Sequence, residues 1–120
     1  MTDAASTVLR LKPFDIVVVP FPFTDRDSSK RRPALVLSSA GFNQASGHSV
    51  LAMITSTDQS NWVGDVSINS LKSTGLPQPC LVRMKLFTLD QRLIVRLAGH
   101  LSQIDRKRLK DSWAALLPIS

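Results

Sequence analysis

The chain has no glutamate and no tyrosine, and its nine acidic residues are all aspartates. Any carboxylate that takes part in chemistry must therefore be one of these short side chains. The single cysteine, Cys80, excludes an internal disulfide and fits a reducing compartment, so we expect a cytoplasmic protein in which this thiol is buried and structural. No apolar run approaches the roughly 20 residues of a membrane span, and we predict no membrane association.

Several sequence motifs of enzymes are also missing. The chain contains no GxxxxGK[ST] phosphate loop, no GxGxxG, no HExxH and no CxxC. Aspartates with the spacing of metal ligands are missing as well, because Asp25 and Asp27 belong to a loop dominated by cations. These absences disfavour a divalent-metal nuclease, and we predict a site with neither metal nor cofactor.

Length and charge define the broad class. The 120 residues, 43% of them hydrophobic, fit one soluble domain, which we place at residues 13–120 behind a flexible N-terminal lead of residues 1–12. The net charge of +6 favours an anionic partner such as a nucleic acid or an acidic protein.

Residues 14–38 are the centre of the sequence pattern. Two apolar, β-branched runs, residues 16–21 and 34–37, flank a polar loop and predict two strands joined by a hairpin-like connection. The first run is apolar on both faces, so its outer face requires the C-terminal helix or a second subunit, which favours a homodimer. The loop ends in three cations, Lys30, Arg31 and Arg32. Such a run is either a solvated surface loop or part of a phosphate-binding site.

Later segments alternate between apolar and polar residues. Residues 49–54 predict a buried strand that delivers Thr55 and Ser56 at its carboxyl end. Two further strands are predicted at residues 80–87 and 92–98. Their inward residues are expected to be Val82, Met84, Leu86, Leu93, Val95 and Leu97, and their outward residues Arg83, Lys85, Arg92 and Arg96. If these strands are neighbours, the four cations share a sheet face, which is as consistent with a solvated surface as with a nucleic-acid groove.

A C-terminal helix completes the predicted fold. Ser102 and Asp105 form a capping box, and an apolar stripe that includes Leu109 and Trp113 runs to about Leu117, before Pro118. We expect this stripe to pack on the sheet. Five or six short strands with one terminal helix predict a mainly β protein, a small and strongly curled barrel.

Two of these elements permit a chemical hypothesis. Arg32 precedes Pro33 at the start of one strand, where the proline favours an extended backbone, and Thr55 ends another strand. If those strands are antiparallel neighbours, both side chains meet at one edge of the barrel. A guanidinium group stabilises the charge that builds on a phosphate under attack, and RNA supplies its own nucleophile, the 2′-hydroxyl. Metal-free RNA cleavage is therefore permitted.

The order of several segments resembles that of MazF/PemK-like toxins of type II toxin–antitoxin systems. These segments are FDIVVVPFPFTD, SSKRRPALVLS, AGFNQASG, VLAMITS, LVRMKLFTLD and GHLSQIDRKRLKDSW, and they cover roughly residues 14–113. The resemblance implies an SH3-like β-barrel of the CcdB/MazF plasmid-toxin type that forms a homodimer and is neutralised by a small antitoxin with an acidic tail. It also implies a metal-independent, sequence-specific endoribonuclease that cuts single-stranded RNA and leaves a 2′,3′-cyclic phosphate.

The resemblance also implies roles for individual residues. Arg32 and Thr55 match the catalytic arginine and threonine of the family. Many members carry a glutamate in the first loop, where this chain offers Asp25 and Asp27 as candidates for the general base. The residues expected to bind RNA are Lys30, Arg31, Ser56, Arg83 and Lys85. Two alternatives remain, a toxin that binds a protein target in the manner of a gyrase poison, and a nucleic-acid-binding barrel without catalytic activity.

Overall fold

A computed structural model describes residues 10–20, 30–58 and 61–119. The strands are β1 (Asp15–Pro20), β2 (Arg31–Val36), β3 (His48–Ser56), β4 (Val66–Ser67), β5 (Cys80–Asp90) and β6 (Arg96–His100). The helices are α1 (Ala40–Ser46) and α2 (Gln103–Leu116), and a 3₁₀ turn, Gln91–Leu93, follows β5.

Within the described residues, the six strands form one antiparallel sheet in the order β4-β5-β3-β2-β1-β6. The sheet curls into a half-barrel, and α2 packs at its β4–β5 end. The expectation of a mainly β, curled barrel-like fold with a C-terminal helix is confirmed. The central pairing of β3 with β5 runs from His48 opposite Asp90 to Ser56 opposite Cys80, with a bulge after Ala52. Such bulges increase the local twist that curls a sheet.

Both faces of the sheet carry an apolar cluster. The first cluster contains Ile16 of β1, together with residues of β2, β3, β5 and α2. The second contains Val17 and Val19 of β1, covered by Leu11 and Ile94 and by residues of β2, β3 and β5. All three β1 residues have no exposed surface in the single chain. The single chain therefore buries the outer face of β1 without α2 or a second subunit, contrary to our expectation, because the segments before β1 and after β5 cover it.

Strand β6 differs from its sequence-based prediction. It begins at Arg96 and pairs with β1, at the opposite side of the sheet from β5. Among the strands that the structure describes, β3 and β4 flank β5, and β6 pairs with the edge of β1 that β2 leaves free. The four cations of the two segments therefore do not share one face. Leu93, Val95 and Leu97, which we expected inside, are 52%, 41% and 47% exposed. Leu93 belongs to the 3₁₀ turn and Val95 to the connection before β6, and Leu97 lies on a strand at the edge of the sheet, where side chains are covered less completely.

Helix α2 follows its predicted boundaries. The Ser102 hydroxyl accepts a hydrogen bond from the Asp105 backbone, which confirms the N-terminal cap, and the helix ends at Leu116, two residues before Pro118. Leu109 is buried and Trp113 packs against the first cluster, as expected for a stripe that faces the sheet. Leu116 is 43% exposed, so the stripe leaves the core at its C-terminal end. No helix in the described part of the chain is long and apolar enough to cross a membrane.

Candidate active site

Strands β2 and β3 bring the predicted catalytic residues together. The two strands are antiparallel, with Val36 opposite Leu51 and Ala34 opposite Met53. Continuing this register by two residues places Arg32 opposite Thr55. Side chains in such directly opposed positions have Cβ atoms about 4.5–5.5 Å apart. Arg32 is half-buried and Thr55 is 8% exposed, so the pair lies at the margin of the sheet's interior.

A cleft of about 330 Å³ opens at this end of the strands. Arg32 and Thr55 both line it, together with two further arginines, Arg31 and Arg96, and Ser56. The register assigns Arg31 and Ser56 to the opposite face of the sheet from Arg32 and Thr55. The described residues that line the cleft include no aspartate. The described lining therefore presents guanidinium and hydroxyl groups to an anion, and the Asp58 carboxylate just outside it accepts the hydrogen bond of the Ser56 hydroxyl.

The connection between β4 and β5 forms one wall of the cleft through residues 75–78. This wall lies against β6 so closely that a Cβ added to Gly75 would be 2.2 Å from the Ala98 carbonyl oxygen, and Gly75 has a φ of +73°. A Cβ on Gly99 would likewise be 2.3 Å from the carbonyl oxygen of Ser73. Only glycine fits either position, so the two glycines allow this connection to lie directly against β6.

The same connection is fixed at its start by helix α2. The Asp105 carboxylate has no exposed surface and accepts hydrogen bonds from the backbone N–H groups of Asn69 (3.1 Å) and Ser70 (3.0 Å). It also pairs with the Arg108 guanidinium at 2.8 Å. Sequence reasoning assigned Asp105 to the helix cap alone, because these partners lie more than 30 residues away.

Arg83 and Lys85, two of the predicted RNA-binding residues, lie on β5, two strands away from β2 and outside the lining of the cleft. Arg83 is 6% exposed and forms a bidentate ion pair with Asp65, at 3.1 and 2.9 Å. The Lys85 ammonium lies 4.5 Å from the ring centroid of Trp62. Their contact with RNA stays a prediction.

The remaining predicted residues divide by position. Lys30 is exposed directly before β2, and the Ser56 hydroxyl donates a hydrogen bond to the Asp58 carboxylate. Asp25 and Asp27, the candidates for the general base, lie outside the described residues. Arg96 was not assigned to the site from the sequence; it enters the cleft because β6 pairs with β1, where Arg96 stands opposite Val18.

Burial raises the pKa of the Cys80 thiol, which lies at the edge of the cleft and donates a hydrogen bond to the Gln78 carbonyl oxygen. The thiol is therefore protonated at neutral pH and a poor nucleophile, in keeping with the expected structural role. Across the described ranges, no three histidine, cysteine or aspartate side chains group as metal ligands would.

Comparison with known proteins identifies the family. The family model described as PemK-like, MazF-like toxin of type II toxin-antitoxin system matches residues 12–117. No curated protein sequence matches the chain.

Solved structures of low sequence identity share the fold. An endoribonuclease in complex with its cognate antitoxin from Mycobacterial species superposes with a TM-score of 0.73 at 14% identity, covering 92% of this chain and 97% of that one. The Mycobacterium tuberculosis toxin MazF-mt6 gives a TM-score of 0.69 at 19% identity, covering 88% and 98%. A MazE-MazF structure from Deinococcus radiodurans gives 0.72 at 20% identity, covering 93% and 99%.

The family model spans nearly the whole chain, including β2, β3 and the cleft between their ends, and the fold agrees with it. The chain therefore belongs to the PemK-like, MazF-like toxins of type II toxin–antitoxin systems, a family whose known activity is endoribonucleolytic.

Proposed function

We propose that this toxin is a metal-independent endoribonuclease that cuts single-stranded RNA at short sequences. The observation that carries the proposal is the meeting of Arg32 and Thr55, which are 23 positions apart in the chain, across adjacent strands at a cleft lined by two more arginines. A guanidinium group forms paired, charge-assisted hydrogen bonds with phosphate oxygens, and a threonine hydroxyl adds one further donor. This donor set suits a phosphodiester.

The reaction that this site suits is an internal transfer of the phosphoryl group. The 2′-oxygen of the RNA attacks phosphorus and loses its proton to a base, for which Asp25 and Asp27 are the candidates. The bond from phosphorus to the 5′-oxygen breaks, and that oxygen takes up a proton from water. The products are a 2′,3′-cyclic phosphate and a 5′-hydroxyl. Arg32 stabilises the extra negative charge on the phosphorus oxygens, and Thr55 orients the scissile phosphate.

The cations near Arg32 and Thr55 are positioned to contact the phosphates that flank the scissile one. Arg31 and Arg96 line the cleft, and Lys30 stands exposed beside it. Contacts between such side chains and phosphates release counterions, so binding should weaken steeply with salt. The same positive surface suits the acidic tail of an antitoxin, which would occupy the RNA site by charge complementarity. An RNA substrate and an antitoxin partner both support a cytoplasmic location for the toxin.

We also propose that the toxin is a homodimer. Leu93, Val95 and Leu97 are exposed apolar side chains on β6 and on the turn and connection before it, and β6 ends the sheet on that side. Residues 73–75 cover the end of this edge, where the His100 N–H donates to the Ser73 carbonyl oxygen, but leave the side chains of Val95 and Leu97 exposed. Exposed apolar side chains at a sheet edge are a surface that proteins usually cover. A second copy of the chain that packs against these residues would bury them.

The direct test of catalysis is cleavage of single-stranded RNA by antitoxin-free protein in EDTA. Primer extension on a mixed RNA pool maps the cuts, and mass spectrometry of the fragments identifies the cyclic phosphate. Arg32→Ala should lower the rate by about 10²–10³-fold or more, since it removes a donor to the transition state. Arg32→Lys keeps the charge but loses the paired donors, and should recover only part of the rate. RNA that stays intact with folded wild-type protein would refute the proposal. Salt-dependent binding without cleavage would indicate a non-catalytic module.

A further inference from the structure

The segment between β3 and β4 is held in place by a largely buried ion pair. The guanidinium of Arg83 donates to both carboxylate oxygens of Asp65, and the two side chains are 7% and 17% exposed. Asp65 also accepts a hydrogen bond from the backbone N–H of Trp62 at 3.1 Å, and its own N–H donates to the Trp62 carbonyl oxygen. Bidentate charge-assisted pairs fix geometry. Trp62 therefore has a fixed backbone position.

The Trp62 side chain nevertheless remains 44% exposed. Its indole ring carries the Lys85 ammonium at 4.5 Å from the centroid. Removing a ring of this size from water is strongly favourable. A ligand that covers the anchored, exposed indole would therefore gain this free energy on binding. An aromatic ring beside a cation is the combination with which proteins bind single-stranded nucleic acids, through base stacking and contact with phosphate.

The ion pair that holds the Trp62 segment is anchored on the sheet by Arg83, which relates this tryptophan to the candidate active site. Arg83 stands opposite Met53, and Met53 stands opposite Ala34, so these residues share one face of the sheet. Thr55 and Arg32 lie on that same face, each two residues further along its strand. Arg83 is separated from β2 by two strand spacings, which is about 10 Å. A short extended stretch of RNA can therefore span both places.

We propose that Trp62 is a stacking platform for a nucleobase that flanks the scissile phosphate, with Lys85 beside it on the RNA backbone. The proposal rests on the proposed endoribonuclease function and names a residue that sets its substrate binding. Asp65 and Arg83 act as positioning residues, since they hold Trp62 and line no part of the cleft. Lys85 supplies positive charge, and Trp62 supplies a flat apolar surface that tolerates every base.

Trp62 offers its own spectroscopic signal. The chain has two tryptophans and no tyrosine, so a Trp113→Phe background leaves Trp62 as the sole strong fluorophore. The probe is a 2′-O-methyl oligoribonucleotide that spans the cut site mapped by primer extension and cannot be cleaved. Titration with this probe should quench Trp62 fluorescence. Probe binding is measured separately by fluorescence anisotropy of a labelled oligonucleotide. A probe that binds without quenching Trp62 fluorescence would overturn the proposal.

Three variants separate stacking from charge. Trp62→Ala should weaken probe binding by about 5- to 150-fold, the usual effect of removing one stacked base, while the slope of log K against log salt stays unchanged. Lys85→Ala should lower that slope by about 0.7, the value for one phosphate contact on a single strand. Trp62→Phe should retain most of the affinity. Val63→Ala, at a residue 93% exposed and next in the chain, is the matched control and should bind as wild type.

The outcomes distinguish this inference from the proposed function. If the wild type cleaves RNA and Trp62→Ala, folded by circular dichroism, cleaves and binds equally well, only the stacking proposal fails. If Trp62→Ala weakens antitoxin binding but not RNA binding, the surface serves the protein partner and the proposal also fails. If the wild type neither cleaves RNA nor binds a mixed-sequence 2′-O-methyl pool, the proposed function fails and the stacking site falls with it.

Discussion

Removal of the Asp105 carboxylate tests how the wall of the cleft is held. This buried group accepts hydrogen bonds from the backbone of Asn69 and Ser70 and pairs with Arg108. Asp105→Ala leaves two backbone donors without their partner, at about 1–3 kcal/mol each, and removes a negative charge from a helix N-terminus, at about 0.3–1 kcal/mol. Both donors are only partly buried, so we expect a loss of about 2–4 kcal/mol in the free energy of unfolding.

A loss of this size is a large part of the about 5–15 kcal/mol that stabilises an ordinary domain. It should lower the melting temperature by about 8–16 °C for a chain of this length. Urea unfolding followed by circular dichroism gives the free energy, and differential scanning calorimetry gives the temperature. Because Asp105 anchors the connection that leads to Gly75, the variant should also bind RNA more weakly at temperatures where it is still folded.

Asp111→Ala is the matched control for this experiment. Asp111 lies on the same helix but is exposed, so its removal should change stability by no more than about 0.5 kcal/mol. Asp105→Asn keeps the shape of the side chain but replaces one acceptor by a donor. It should therefore show most of the loss in unfolding free energy that Asp105→Ala shows. The reasoning is refuted if Asp105→Ala unfolds at the same urea concentration as Asp111→Ala.

Three further predictions concern other parts of the fold. Gly75→Ala should cost more than about 2 kcal/mol in thermal unfolding, since it combines left-handed backbone strain with a steric clash, whereas Gly41→Ala, which meets open space, should be neutral or stabilising. The hydrogen bond from Arg92 lowers the pKa of Asp90 from 3.8 to about 2, so the stabilisation by this ionised carboxylate is present above pH 3.8 and is lost as the pH falls through 2. Carboxyl carbon NMR should give that midpoint, and Arg92→Ala should return it toward 3.8; equal midpoints in both proteins would contradict the pair. Leu97→Lys should shift the toxin from dimer to monomer in analytical ultracentrifugation, and an unchanged dimer would exclude the β6 edge as the interface.

Local patterns in the sequence were sufficient for several elements. The Ser102–Asp105 cap and Pro118 predicted the limits of α2, because each is a local signal for a helix end. The alternation of Val82, Met84 and Leu86 was also confirmed, since all three contact the first apolar cluster.

Long-range pairing limited the remaining predictions. The local pattern of residues 92–98 contains no information about which strand edge is free, so it left open whether this strand is a neighbour of β5, and the structure shows that it is not. For the same reason the inward assignment of Leu97 failed: inward and outward depend on what covers an edge strand.

For the candidate site, too, the local sequence pattern was informative and the long-range contacts were not. The sequence predicted that Arg32 and Thr55 meet if their strands are antiparallel neighbours, and β2 and β3 are antiparallel neighbours. Trp62 was missed, because its position is fixed by the pair of Asp65 with Arg83, 18 residues later. The sequence offered one sign of it, a tryptophan that directly follows the polar residues 58–61.

The most direct measurement of the central claim is the rate of single-stranded RNA cleavage in EDTA by the wild type, Arg32→Ala and Thr55→Val, each shown to be folded. If the two residues act on one phosphodiester, each variant should cleave far more slowly than the wild type, and the double variant should lose much less than the product of the two single losses. Full activity in either single variant, at the same cut sites, would contradict the account.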